Sequence, residues 1–280
     1  WPAFSPLIGG TNEEQSLRTR SGLRSIRERL AGEDGIAAHK RIGLAEVQAM
    51  LFANRNYAAE LVLDDLLALC KDTAGDAIRR GCEVLAAWDR RNDLGSRGDQ
   101  LFREWWRAAR RIENVWRVPF DPDRPEATPS GLNTDDPAVR SQLLAALDAA
   151  VAVVRAAGFE LDAPLGDVQH KTLRGDPIGL HGGPGLEGLL NKVEAVGSGG
   201  LTPRGYEINF GTSYVQTVTF DERGPIAEAI MTYGQSTLAD SPYAFDQLPL
   251  YAKEQWLHLP FRPDDVRAAT VGEPLELTRP

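Results

Sequence analysis

Residues 206–236 read YEINFGTSYVQTVTFDERGPIAEAIMTYGQS. From Tyr214 to Phe220 large and small side chains alternate at period two, and the run is rich in β-branched and aromatic residues, the pattern of a strand packed on at least one face. Asp221 to Pro225 then supplies turn chemistry: an acidic pair, a glycine free to take positive φ, and a proline that cannot donate to a ladder. Ile226 to Tyr233 resumes the apolar run, so the stretch is expected to be a β-hairpin.

Upstream of it, period-two alternation also marks Asp167–Leu173, Val193–Val196 and Tyr206–Phe210, giving about five expected strands. The first part of the chain has a different period. After an irregular segment over residues 1–16, Ser16 is placed to cap a helix from Leu17 to about Leu30 with Leu17, Leu23, Ile26 and Leu30 on one stripe. Further helices are expected over Leu44–Asn54, Tyr57–Cys70, Asp76–Trp88 and Gln100–Arg117, the last carrying Trp105, Trp106 and Trp116. Aromatics at helical spacing are the usual material of a core, and can also line an apolar pocket.

Pro119, Pro122, Pro125, Pro129 and Pro137 make residues 118–137 the expected internal boundary, with a helix following from Pro137 through Ala157. The reading is an α+β chain: a helical region over 1–117, a proline-rich connection over 118–137, and a helix-plus-strand region over 138–280.

Composition excludes several classes of function. Forty acidic against 31 basic residues leave a net charge of −9, unsuited to a phosphate-backbone partner, so no nucleic acid is expected. No uninterrupted apolar run approaches the roughly 20 residues a membrane-spanning helix needs, so no membrane insertion is expected either. Two cysteines and four scattered histidines do not match zinc spacing, and no metal site is expected. His39, His170, His181 and His258 lie in no nucleophile-elbow pattern and read as surface or hydrogen-bonded strand residues. The glycine-rich run His181–Gly188 lacks the Lys-Ser/Thr ending of a phosphate loop, and Pro184 removes one amide, leaving a tight loop. Cys70 and Cys82 end one helix and enter the next, a geometry open both to a disulfide and to two buried thiols.

Tyr233-Gly234-Gln235-Ser236, Ser241-Pro242, the run DQLPLY over 246–251, Trp256, Leu259-Pro260-Phe261 and Val266 recur with Trp88-Asp89, Trp105-Trp106 and the run NRNYAAE over 54–60. As a spaced set covering most of the chain they resemble the penicillin acylase family, in its branch that deacylates N-acyl homoserine lactones and lipopeptides. The resemblance implies an N-terminal nucleophile hydrolase with an αββα sandwich, to which this chain contributes a helical layer and several strands as the C-terminal part of the large subunit. The attacking serine and the oxyanion asparagine then lie upstream of Trp1, which carries no nucleophile.

The family's supporting arginine, which organises that asparagine and the terminal amine, falls on Arg20, with Arg18 as the rival. Its calcium-binding aspartate has no clear counterpart over Phe4–Asn12, and no cofactor is implied. The implied partners are the remaining segments of the same precursor and a small N-acyl substrate: homoserine lactones first, then lipopeptides or β-lactams. The implied location is periplasmic or secreted, which a Cys70–Cys82 bridge would suit. Two other classes compete with this reading: a non-catalytic exported scaffold or binding domain, and a complete hydrolase that uses one of the four histidines.

Overall fold

A computed structural model describes residues 12–37, 39–71, 75–238, 240–273 and 275–277. The chain divides into two compact units, one of residues 1–42 and 49–212, the other of residues 43–48 and 213–280. This places the internal boundary at 212/213 and not in the proline-rich stretch.

The first unit begins with α1 (Leu17–Ala31), α2 (Leu44–Phe52, whose last turn belongs here), α3 (Tyr57–Cys70), α4 (Asp76–Ala87) and α5 (Asp99–Ala109). A short hairpin of β1 (Trp116–Val118) and β2 (Ser130–Leu132) and the long α6 (Pro137–Ala156) complete the helical layer. Trp105 and Trp106 are fully buried at its centre among Leu85, Phe102, Leu143 and Leu147. Their indole N–H groups donate to Leu143 O (3.1 Å) and Leu186 O (2.9 Å), so both rings are core with satisfied polar edges and not an open acyl pocket.

α5 stops well short of the expected Arg117. Beyond Arg110 the backbone turns, Asn114 takes φ +56°, and Trp116 enters β1 with its ring edge-on to Trp106 at 5.7 Å. Residues 118–137 are likewise no linker. Asp65 Oδ2 accepts from Leu132 N (2.8 Å), Leu132 is fully buried, and Arg20 holds the carbonyls of Glu126 and Pro129. Prolines there fix an irregular path that side chains then tie down.

By length and composition alone α6 is long and apolar enough to cross a membrane. Its inward stripe of Val139, Leu143, Leu147, Val151 and Val154 packs into this core, and Arg140, Asp148 and Arg155 interrupt the rest.

After α6 come the single turn α7 (Leu165–Val168), β3 (Gln169–Leu173), β4 (Asp176–Gly179), β5 (Val193–Glu194), β6 (Tyr206–Glu207) and β7 (Phe210–Gly211). The strand expected from Asp167 therefore starts two residues later. β3 lies between antiparallel β4 and parallel β6, and β5 pairs with β7.

A buried polar network joins these strands to the helices. Arg103 donates from Nε to Glu187 Oε1 (2.8 Å) and from Nη1 to Gln169 Oε1 (2.8 Å), and lies over the Tyr206 ring at 4.6 Å. Asn56 Nδ2 and Asn92 Nδ2 donate to Glu187 Oε2 (3.0 and 3.1 Å), while Asp99 Oδ2 faces Arg103 Nη2 at 3.4 Å. One guanidinium thus serves two fully buried carboxyls. Burial raises both Asp99 and Glu187, against the pull of Arg103, and pushes Asp99 up to about 7. The glycines of the 181–188 run let the chain close over this network: a Cβ on Gly183 would sit 2.7 Å from Asn92 Nδ2.

The second unit holds β8 (Tyr214–Asp221), β9 (Gly224–Met231), α8 (Leu248–Ala252), β10 (Leu257–Leu259) and α9 (Pro263–Ala269). β9 is central, antiparallel to both β8 and β10. The hairpin turn is tighter than expected, because Gly224 and Pro225 lie inside β9 opposite Asp221 and Phe220 and leave Glu222-Arg223 as the loop. Gly224, at φ +122°, permits this. Leu248 and Tyr251 of the DQLPLY run are buried, and Gln247 Oε1 accepts from Met231 N at 2.7 Å.

Two outcomes test this account of the network. Gly183→Ala forces a methyl group onto Asn92 and should lower stability by roughly 1–3 kcal/mol in denaturant titration. Folded Asp99 keeps its proton up to about pH 7, whereas the unfolded residue releases it near 3.8, so the folded state holds the extra proton between those values and stability falls as pH rises through that window. Thermal unfolding at pH 5 and pH 8 should show a higher Tm at pH 5. Asp99→Asn should gain stability at pH 8 and flatten the difference; an unchanged pH dependence would contradict the assignment.

Candidate functional site

α1 has the opposite amphipathicity from the one its sequence suggests. Ser16 caps it, its Oγ accepting from Thr19 N (3.1 Å), and Gly32 closes it at φ +77°. The buried residues are Arg20, Ser21, Ser25 and Arg29, while Ile26 and Leu30 of the expected apolar stripe are exposed. The polar side turns inward because the proline-rich stretch offers Arg20 two carbonyls and the turn after α1 offers Arg29 a carboxylate: Arg29 Nη1 lies 3.0 Å from Asp34 Oδ1.

Arg20 is 1% exposed. Its Nε donates to Glu126 O (2.8 Å) and its Nη1 to Pro129 O (2.9 Å), and its guanidinium lies 5.6 Å from the centre of the Tyr57 ring. Among the described residues Nη2, which is buried, has no hydrogen-bond partner, and no carboxylate stands within ion-pair distance of the guanidinium. A buried donor left in that state costs about 1–3 kcal/mol, more for a charged group.

The neighbouring cations are arranged differently. Arg24 binds Glu28 (2.7 Å), Arg27 binds Glu126, and Arg55 binds both Glu28 and Glu60, the latter at 2.7 Å. Burial acts to raise Glu28, but the hydrogen bonds from Arg55 and Arg24 outweigh it and hold the carboxyl below its usual range. Arg20 is therefore the guanidinium of this cluster whose charge no nearby carboxylate offsets.

Arg20, Arg24, Tyr57 and Glu126 line a hollow of about 470 Å³. Among the described residues its walls contain no serine, threonine or cysteine, and Arg20 and Arg24 give it donors that can hold and orient an acceptor.

The rival Arg18 is exposed and spends its guanidinium on Leu190 O (2.8 Å from Nη2). Cys70 and Cys82 form a disulfide with Cα atoms 6.0 Å apart, tying α3 to α4. His181 is buried with Nδ1 2.9 Å from Asn191 Nδ2, His170 pairs with Glu207 at 3.3 Å, and His39 and His258 are exposed. Among the described residues no group of three or more His, Cys, Asp or Glu is disposed to hold a metal ion. Trp1, and all of the Phe4–Asn12 calcium question except Asn12, lie outside the described residues.

Sequence reasoning did not find the partners that fix Arg20. Backbone carbonyls carry no side-chain signature, and Tyr57 reads as an ordinary first residue of a helix. The Arg103–Glu187 network had one legible sign, the i,i+4 pair Asp99/Arg103 on the face of α5 that also carries Phe102 and Trp106.

Comparison with known proteins agrees with the motif set. The Penicillin amidase family profile matches residues 8–268. The chain is 37% identical over 270 residues to an acyl-homoserine lactone acylase PvdQ of Pseudomonas savastanoi pv. phaseolicola (strain 1448A / Race 6), covering 95% of this chain and 33% of that protein. It is 37% identical over 265 residues to the aculeacin-A acylase of Actinoplanes utahensis, covering 90% and 32%. Among solved structures, a thermostable penicillin G acylase from Alcaligenes faecalis aligns over 91% of this chain and 52% of that one, at 17% identity and a TM-score of 0.46. The chain thus spans about a third of the length of these curated relatives. With a profile match across nearly all its residues and relatives above 30% identity, the chain belongs to the penicillin amidase family.

Proposed function

We propose that the chain is one part of an acylase that hydrolyses the amide bond of N-acylated small molecules. N-acyl homoserine lactones are the favoured substrates, with lipopeptides and β-lactams as further classes. The relatives aligned with almost the whole chain are named as an acyl-homoserine lactone acylase and an aculeacin-A acylase, which supports the reaction class. The observation that carries the reading is Arg20, a buried guanidinium with two N–H groups anchored on carbonyls and a third donor that finds no acceptor among the described residues.

In this reading the nucleophile is a serine at the N-terminus of the large subunit, borne by another segment of the precursor, with its own α-amino group as base. It attacks the substrate carbonyl, and an asparagine of that segment stabilises the oxyanion. Arg20 touches neither reacting atom. Its free Nη2 donates to an acceptor in that segment and holds the asparagine and the amine in register. An arginine suits the task because it stays protonated at any working pH and its planar fork keeps two anchors while offering a third bond.

The remaining precursor segments are the partners, and together with them the strands of this chain complete an αββα sandwich. The enzyme is exported to the periplasm or secreted, a location favoured by the Cys70–Cys82 disulfide.

The full processed protein, assayed for release of free homoserine lactone from its N-acyl derivatives, tests this. Arg20→Ala should lower kcat by roughly 10²–10³-fold, the scale on which oxyanion stabilisation is lost, with a smaller change in KM and with precursor cleavage still visible on a gel. Arg20→Lys should restore little, since an ammonium cannot hold two carbonyls in the same fork. Arg18→Ala should stay near wild type. Full activity in Arg20→Ala would remove the role given to this residue, and failure of the wild type to cleave any acyl amide would remove the reaction.

A further inference from the structure

Tyr57 opens α3, lines the hollow and is 6% exposed. Two guanidiniums face its ring: Arg20 Cζ lies 5.6 Å and Arg24 Cζ 5.9 Å from the ring centre, both within the roughly 6 Å over which a cation is drawn to the electron-rich face of an aromatic ring. The two cations stand four residues apart on α1, a spacing at which like charges repel. They are offset in different ways. Arg24 pairs with Glu28 (2.7 Å) and Glu60 (3.3 Å), whereas Arg20 has no carboxylate partner among the described residues. Beside its two carbonyls, the Tyr57 ring is therefore what answers the charge of Arg20.

The ring has little freedom to leave. Asn56, immediately before it, caps α3 with Oδ1 accepting from Ala59 N (3.0 Å) and donates from Nδ2 to Glu187 Oε2 (3.0 Å), which ties the backbone at this point to the buried network. From the other side the chain at Gly188 passes so near that a Cβ there would lie 2.8 Å from Tyr57 Cβ. Among the described residues the Tyr57 hydroxyl has no hydrogen-bond partner, so it is the ring and not the hydroxyl that the arginines engage. For Arg20 this matters geometrically. Its Nε and Nη1 are held by Glu126 O and Pro129 O, and a planar group held at two points can still tilt about the line through them. A ring packed beside it removes that freedom.

We propose that Tyr57 is a positioning residue for the acylase reaction: the electron-rich face of its ring holds the Arg20 guanidinium at the tilt that aims Nη2. The inference rests on the acylase reading above and goes past it in naming the group that sets the direction of Arg20. The competing account makes Tyr57 a space-filling core residue. A residue that only fills space needs shape and apolar surface, whereas one that steadies a cation needs electron density on the ring face. The two accounts separate when that density is changed and the shape is kept.

The test uses the full processed protein and the release of free homoserine lactone from an N-acyl homoserine lactone. Pentafluorophenylalanine in place of Tyr57 keeps an aromatic ring of similar shape while its fluorines withdraw electron density from the face. Relative to Tyr57→Phe it should lower kcat roughly tenfold with little change in KM or Tm, the factor that a buried cation–π contact supplies. In an Arg20→Ala background the same exchange should cost nothing further, because the ring acts through Arg20 and the two effects are not additive. If pentafluorophenylalanine hinders folding, para-fluorophenylalanine, a closer copy of the ring, decides in the same way with a smaller drop in kcat. Equal kcat for the fluorinated and plain rings would overturn the proposal, as would an equal loss with and without Arg20; both leave the acylase reading standing so long as Arg20→Ala alone is impaired. A fully active Arg20→Ala would instead remove the role of Arg20 and the proposal with it.

Discussion

The ion pair between Arg103 and Glu187 is the constraint on which the first unit depends. Removing these two charges from water costs several kcal/mol each, and their attraction offsets that cost only where the remaining donors and acceptors are also satisfied. Asn56, Asn92 and Gln169 supply the missing bonds, and each sits on a different part of the chain. The arrangement therefore adds less to stability than to uniqueness: a slip of α3, α5 or β3 would leave a buried charge unpaired. Asp99, drawn to the same guanidinium with Oδ1 unpartnered, is held mostly as the neutral acid below about pH 7.

That constraint reaches the candidate site through the glycine-rich run. Glu187 ends the short turn Gly185–Glu187, and Gly188, at φ +81°, passes so close to Tyr57 and Leu17 that a Cβ there would lie 2.8 Å from Tyr57 Cβ. Tyr57 in turn lies under the guanidinium of Arg20, and Leu17 opens the helix that carries it. Thus the pair buried beneath α5 fixes the loop, the loop fixes the start of α1, and α1 sets where the free donor of Arg20 points.

Much of this architecture was legible in the sequence, for identifiable reasons. Helices with Ser, Asn or Asp caps and a clear apolar period were placed within a few residues, and so was the hairpin at 214–231, because local rules govern both. Errors fell where distant contacts override local pattern. Residues 118–137 look like a linker until Arg20 and Asp65 are seen to hold them. Trp116 keeps the helical period of α5 but belongs to a strand, since Asn114 turns the chain. Arg20 itself is marked out only by family resemblance, and its burial cannot be read from a helix that carries four other arginines.

The inversion of α1 and the bare face of β8 follow from the same physics. A helix that turns arginines inward and leaves Ile26 and Leu30 in water gains nothing from the hydrophobic effect on its outer side, and burying those two side chains would be worth roughly 1.5–3 kcal/mol each. On the sheet of the second unit, exposed Tyr214, Val218 and Phe220 present a similar gap on a larger scale. In a chain folded to stand alone, both patterns would be selected against, as wasted apolar area and as an aggregation hazard. Where a guanidinium is buried without its acceptor and apolar surface is exposed without its cover, the missing groups are complementary: one surface lacks an oxygen and the other lacks carbon. In the proposed acylase reading the remaining segments of the precursor supply both, and the chain spans about a third of the length of the curated relatives it matches.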